Sequence, residues 1–106
     1  VSANEIFDYI QDRMIIVDAM MRIIDINQAS CECFNLVKSD IINKDIGSIP
    51  SFVVKKMINN VTFQDAVRGK KKIIELDGRY LVAYIPVVLR KGQHGVVIIF
   101  KDIPEY

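Results

Sequence analysis

Apolar positions recur with two different periods along this chain, and the change falls near residue 70. Before it, apolar residues return every three or four positions in short stretches; after it, they alternate. From Asn4 to Arg13, the residues Ile6, Phe7, Ile10 and Met14 fall on one stripe, with Asp8, Gln11 and Asp12 opposite. That spacing predicts an amphipathic opening helix, capped by Ser2 or Asn4. Two apolar runs follow, Ile15 to Val17 and Ile23 to Ile26, split by Asp18 to Met21, which predicts a hairpin. Gln28 to Phe34 reads as a short helix with Ala29, Cys33 and Phe34 inward. Asparagine tolerates left-handed backbone, so Asn35 and Asn43 are expected to close helical segments. Ser39 is a candidate helix cap, followed by Asp40, whose charge suits a first turn. Pro50 marks a further helix start, with Val53 and Met57, Val54 and Ile58 at helical spacing up to Asn59 and Asn60. "VTFQDAVRG" adds a helical turn ended by Gly69. Helices this short wrap a sheet or line a pocket rather than build a bundle.

The second half, "KKKIIELDGRYLVAYIPVVLRKGQHGVVIIFKD", holds two turn signals, Asp77-Gly78 and the segment Arg90 to His94 around Gly92. Three antiparallel strands are expected. The last two are apolar on both faces: Tyr80, Val82 and Tyr84 alternate with Leu81, Ala83 and Ile85, and Val97 and Ile99 alternate with Val96, Ile98 and Phe100. A sheet with one wet face alternates apolar with polar, so both faces are expected to be covered. The short helices serve one face; the opening helix and a second copy of the chain are the economical cover for the other. The expected class is α+β.

Composition narrows the function classes. The 106 residues make one domain, with 51% hydrophobic and 25% charged residues and a net charge of +1. Such a balance does not suggest a disordered or nucleic-acid-coating protein. Apolar runs such as Val96 to Phe100 fall far short of the roughly 20 residues a membrane span needs, and no basic-then-apolar leader opens the chain. A soluble, cytoplasmic domain is expected, with no membrane partner. The start at Val1 and the end at Tyr106 suggest a piece of a longer protein. Cys31 and Cys33 stand two apart, about 200° around a helix, so they cannot chelate one ion together, and no further Cys pair or nearby His completes a site. Inert, buried or half-buried thiols are expected, and no metal.

With "IIVDAMMRIIDINQASCECFNL" near one end and "GVVIIFKDIPEY" at the other, the chain resembles a PAS domain over essentially its whole length. The family's first hairpin ends in Asp-x-x-x-x-Ile, and Asn-x-Ala then opens a helix closing on apolar-Phe-Gly. Those places hold Asp18, Ile23, Asn27, Ala29, Cys33, Phe34 and Asn35, with asparagine in place of the turn glycine. The family's closing Asp-Ile-Thr-Glu is represented by Asp102, Ile103, Pro104 and Glu105, where proline removes a hydroxyl and a backbone donor. The resemblance implies a PAS fold: a five-stranded antiparallel sheet with short helices on one face, over residues 14–106, preceded by the amphipathic flanking helix 1–13. From "AVRG" to "IIFKD" the chain is similar to the PAS sensors that precede the AAA+ module of sigma-54-dependent transcription activators; similar domains occur in two-component sensor kinases. That implies signal transduction and transcription regulation, a homodimer, and an effector domain following in the same chain. Asn27 is expected to tie the junction between second strand and helix with its side-chain amide. Ile6, Phe7 and Ile10 are the expected dimer stripe.

Residues that could do chemistry are few. His94, the one histidine, falls between Gly92 and Gly95 in the expected loop. Asp18 and Asp25 fall at hairpin positions typical of turns and solvent faces, not of an acid-base pair. "VRGKKKI" lacks the phosphate-cradling spacing, and Lys70 to Lys72 lack interleaved aromatics, so no enzyme and no direct nucleic-acid binding is expected. The cysteine setting of light-sensing PAS relatives and the long-helix histidine of haem-binding ones are both missing, so neither flavin nor haem is expected. A small organic ligand is the one group a cavity could hold, lined by Phe34, Ile42, Met57 and Tyr84, with Arg79, Tyr80 or Tyr84 as a polar handle. The plainer account of the same apolar residues is core.

Overall fold

A computed structural model of the chain describes residues 12–58 and 61–103. Five strands form one antiparallel sheet: β1 (Arg13–Asp18), β2 (Ile23–Ile26), β3 (Lys72–Leu76), β4 (Tyr80–Val88) and β5 (His94–Asp102), in the spatial order β2-β1-β5-β4-β3. Between β2 and β3 run four short helices, α1 (Gln28–Phe34), α2 (Lys38–Ile41), α3 (Phe52–Ile58) and α4 (Val61–Val67), with a 3-10 turn at Ile46–Ser48. The class is α+β, with the first and last strands of the chain side by side at the centre of the sheet.

Period two places alternate residues of the central strands on opposite faces. Ile15, Val17, Val82, Tyr84, Val96, Ile98 and Phe100 are buried beneath the helices, which contribute Cys31, Ile41, Val54, Met57, Phe63 and Ala66 to the same core. On the opposite face Met14, Ile16, Ala83, Ile85, Val97 and Ile99 are half-buried, Leu81 is 37% exposed and Ile73 58%. The helical side of the sheet is thus closed, while the other side keeps an apolar surface. The opening helix expected over it, with its stripe Ile6, Phe7 and Ile10, lies outside the described residues, as do Asn59, Asn60, Pro104 and Glu105.

Turn chemistry explains the connections. Asp77 and Gly78 have φ of 57° and 66°, the left-handed pair of a tight hairpin between β3 and β4. Asn35 closes α1 at φ 55°, its backbone N–H donating to the carbonyls of Cys31 and Glu32. Pro86 interrupts no ladder on the β3 side, because β3 pairs with β4 only from Tyr80 to Tyr84. One sheet edge is covered by neighbouring backbone, and the other begins with a charge. Backbone of the 43–46 segment covers β2 through Asn43 N–H to Ile23 O and Ile46 N–H to Met21 O, both 2.8 Å, and β3 carries Lys72 at its start.

Four local expectations are corrected. The inward residues of α1 are Ser30 and Cys31, with Phe34 partly buried, while Cys33 is exposed and Ala29 only half-buried. The stripe follows the i, i+3, i+4, i+7 spacing from Asn27, and Ser30 belongs to it because its hydroxyl finds the Met14 carbonyl at 3.1 Å. Ser39 lies inside α2; the N-cap is Val37, with no side-chain cap. His94 is the exposed first residue of β5, paired with Val88, rather than a loop residue. Arg13, expected at the end of a helix, opens β1 opposite Phe100.

Gly95 sits where β5 starts between β1 and β4. A Cβ there would stand 2.7 Å from both the Val17 carbonyl oxygen and Leu89 Cδ1. Backbone cannot yield as a side-chain tip can, so Gly95→Ala is expected to lower stability by about 1–3 kcal/mol. Chemical denaturation checks this; an unchanged midpoint would mean that the hairpin end relaxes freely.

Candidate functional site

Asn27 holds the start of the fold together. It is fully buried as the N-cap of α1, its Oδ1 accepting from Ser30 N–H at 3.1 Å and from Met14 N–H at 3.0 Å. Its Nδ2 donates to the Asp12 carbonyl at 2.7 Å, and its backbone N–H donates to the Met14 carbonyl at 3.1 Å. One amide therefore joins β1, the end of β2 and the first turn of α1, using both its acceptor and its donor.

Asp18 differs from expectation. It is buried, not on a solvent face, with Oδ1 accepting from Met20 N–H and Arg22 N–H, each at 2.9 Å, and Oδ2 from Arg22 Nε at 3.0 Å. Every bond it makes shapes the β1–β2 turn, and Asp25 is paired separately with Lys38 Nζ at 2.8 Å. The two carboxylates have separate structural partners.

The proposed ligand-lining residues are only partly brought together. Tyr84 and Met57 meet in the core at 0% exposure, where the Tyr84 hydroxyl donates to the Met57 carbonyl at 3.1 Å. Phe34 packs at the core's edge with its ring centroid 5.6 Å from that of Phe100, and Ile42 and Tyr80 are partly buried against the same cluster. Arg79 is exposed in the β3–β4 hairpin, where its carbonyl accepts from Ile103 N–H at 2.8 Å. Around Tyr84 these residues act as core, and Arg79 stands outside it.

A second constellation was not legible beforehand. Arg13 reaches three groups: Nη2 donates to Asp102 Oδ1 at 2.8 Å, Nη1 approaches Cys33 Sγ at 3.4 Å, and the guanidinium lies 4.8 Å from the Phe100 ring centroid. These residues line a cleft of about 550 Å³ with Glu32 and Lys101. Burial alone would lower the Arg13 pKa; the hydrogen bonds to Asp102 and Cys33 outweigh it, so the pKa is raised and the cation is firmly held. Register brings the group together: Arg13 faces Phe100 across β1 and β5, which sets it within reach of Asp102, 89 positions away. Arg13 preceding an apolar run was the only signal available in the sequence.

The two thiols differ in access, Cys31 being buried and Cys33 exposed. Maleimide is therefore expected to label one thiol per native chain, at Cys33, and the second only after unfolding. Two equivalents taken up at one rate under native conditions would contradict this geometry. Among the described residues, no three His, Cys, Asp or Glu side chains gather as metal ligands, and no helix is long and apolar enough to cross a membrane.

No protein-family model matches the chain, and no curated protein matches it. Solved structures do. The PAS domain of nitrogen regulation protein NR(II) from Vibrio parahaemolyticus superposes with a TM-score of 0.71 at 16% identity, over 97% of this chain and 100% of that one. A domain of an HTR-like protein from Haloarcula marismortui gives 0.68 at 15% identity, over 90% and 100%. The PAS domain of histidine kinase ThkA gives 0.64 at 18% identity, over 86% and 99%.

Proposed function

We propose that this chain, which has the PAS fold, is a regulatory sensor and dimerisation module of a bacterial signalling protein. In this reading it catalyses nothing itself and passes a change in subunit arrangement to an effector domain that follows it in the same polypeptide. The observation that carries the reading is the sheet: its helical face is sealed by core, while its other face remains apolar, with Ile73 58% exposed and Leu81 37%. A second copy, together with the stripe Ile6, Phe7 and Ile10, is the cover that suits such a face. A dimer joined there can hold two arrangements, and a signal shifts them only by its differential affinity for each.

The sequence resemblance favours a sigma-54-dependent transcription activator as the parent protein. The similarity to the ThkA domain supports a second reading, a sensor histidine kinase. In either reading the module is assigned to the cytoplasm. In this reading the module carries neither haem nor flavin, and its signal is association or a small organic ligand.

Native mass spectrometry of the purified domain tests the proposal. A dimer mass is expected, falling to a monomer in Phe7→Asp/Ile10→Asp, and a retained small molecule would favour sensing over constitutive scaffolding. A wild-type chain that stays monomeric at high concentration would remove the association reading.

A further inference from the structure

Charge is unevenly distributed over this molecule. At one end of the sheet the β1–β2 turn, the last residue of α4 and the β4–β5 connection surround a pocket of about 340 Å³, with Asp18, Ala19, Met20, Val67, Gln93 and His94 among its walls. The three segments that meet there, 19–22, 67–72 and 89–94, carry Arg22, Arg68, Lys70, Lys71, Lys72, Arg90 and Lys91, half of the chain's 14 lysines and arginines, and no carboxylate. Two carboxylates stand beside them, both at Arg22: Asp18 lines the pocket and holds the Arg22 side chain at 3.0 Å, and Asp45 bridges to its backbone. A net charge of +1 therefore conceals a basic pole on an otherwise acidic molecule.

Those cations are largely uncompensated. Arg22 is engaged by Asp18, but the other six are exposed and make no ion pair among the described residues. By contrast Arg13, Lys38 and Lys56, outside this pole, each hold a carboxylate at 2.6–2.8 Å. Like charges so placed repel one another and attract an anion laid over them. Lys72 faces Tyr84 and His94 faces Val88, so the lysine run and the loop are offset by four residues of β4, about 13 Å. A short extended peptide spans that distance.

The shape and residue types select among polyanions. The three segments contain no Phe, Tyr or Trp, so they offer no stacking platform for the bases of a nucleic acid. The surface is concave between Met20, which is 73% exposed, and Val67, and a flat lipid headgroup layer leaves such a hollow unfilled. A polypeptide supplies both parts, an apolar side chain for the hollow and carboxylates for the rim. We infer that this end of the sheet is a docking surface for an acidic segment of a partner protein, with an apolar side chain between Met20 and Val67 and carboxylates against Lys70–Lys72 and Arg90–Lys91.

Fluorescence anisotropy with a labelled peptide of glutamates around a central Leu-Leu pair tests this, beside its Ser-Ser counterpart, a labelled oligothymidine and phosphatidylserine-containing vesicles. Lys70→Glu/Lys71→Glu/Lys72→Glu and Arg90→Glu/Lys91→Glu change only exposed side chains, and circular dichroism confirms that each variant is folded. The Leu-Leu peptide is expected to bind, more weakly as salt rises, and each charge-reversal variant is expected to weaken it about tenfold. The inference is overturned if the reversals leave affinity unchanged, if the Ser-Ser peptide binds equally well, or if oligothymidine or vesicles bind more tightly than the peptide. Because these variants leave the apolar sheet face intact, dimerisation is read separately and its failure is distinguishable.

Discussion

Alanine at position 27 is expected to lower the stability of the domain by about 3–4 kcal/mol, a large share of the 5–15 kcal/mol typical of small domains. The loss comes from partners left behind rather than from the side chain's own packing. Without the amide, the N–H groups of Met14 and Ser30 and the carbonyl of Asp12 lose a bond, Ser30's fully buried and the other two part-buried, and each abandoned group costs about 1–3 kcal/mol less whatever water can recover. Asn27→Asp separates the two halves of the role. A carboxylate still accepts from Met14 and Ser30 but opposes the Asp12 carbonyl instead of donating to it, so an intermediate loss is expected. Urea unfolding followed by circular dichroism measures both; a loss below about 1 kcal/mol for the alanine variant would show that β1 and α1 are joined by packing alone.

Tyr84→Ala is the other large effect, expected at about 4 kcal/mol. Tyr84 is the largest fully buried side chain, and it sits on β4 beneath α3, where few neighbours can move in to fill the space. Tyr84→Phe keeps the ring and removes the hydroxyl that donates to the Met57 carbonyl, so about 1 kcal/mol is expected. The difference between the variants distinguishes the two accounts of this region. A tightly filled core gives the large gap stated here. If Tyr84→Ala costs scarcely more than Tyr84→Phe, the space around the ring is already loose, as it would be in a ligand cavity.

The elements were readable along the chain wherever the cause was local. The alternation in β4 and β5, the Asp77-Gly78 turn and the left-handed Asn35 each depend on a few consecutive residues obeying backbone sterics. Ser30 was harder, since periodicity treats a serine as outward-facing, and only the carbonyl of Met14 reveals why it is buried. Ser39 shows the reverse: a good capping residue one position inside the helix start caps nothing, because the chain leaves Val37 extended and begins α2 at Lys38.

Hydrophobic period and turn residues were enough to establish an α+β chain of five antiparallel strands and short helices, because both are properties of neighbouring residues. Three features waited for tertiary structure: the Arg13–Asp102 pair beside an exposed Cys33, the burial of Asp18, and the meeting of the β1–β2 turn, the end of α4 and the β4–β5 connection around one pocket. All three depend on strand register and on β5 inserting between β1 and β4. Which side chains become neighbours across that insertion is decided by the closing of the whole sheet, a constraint that no short window of residues contains.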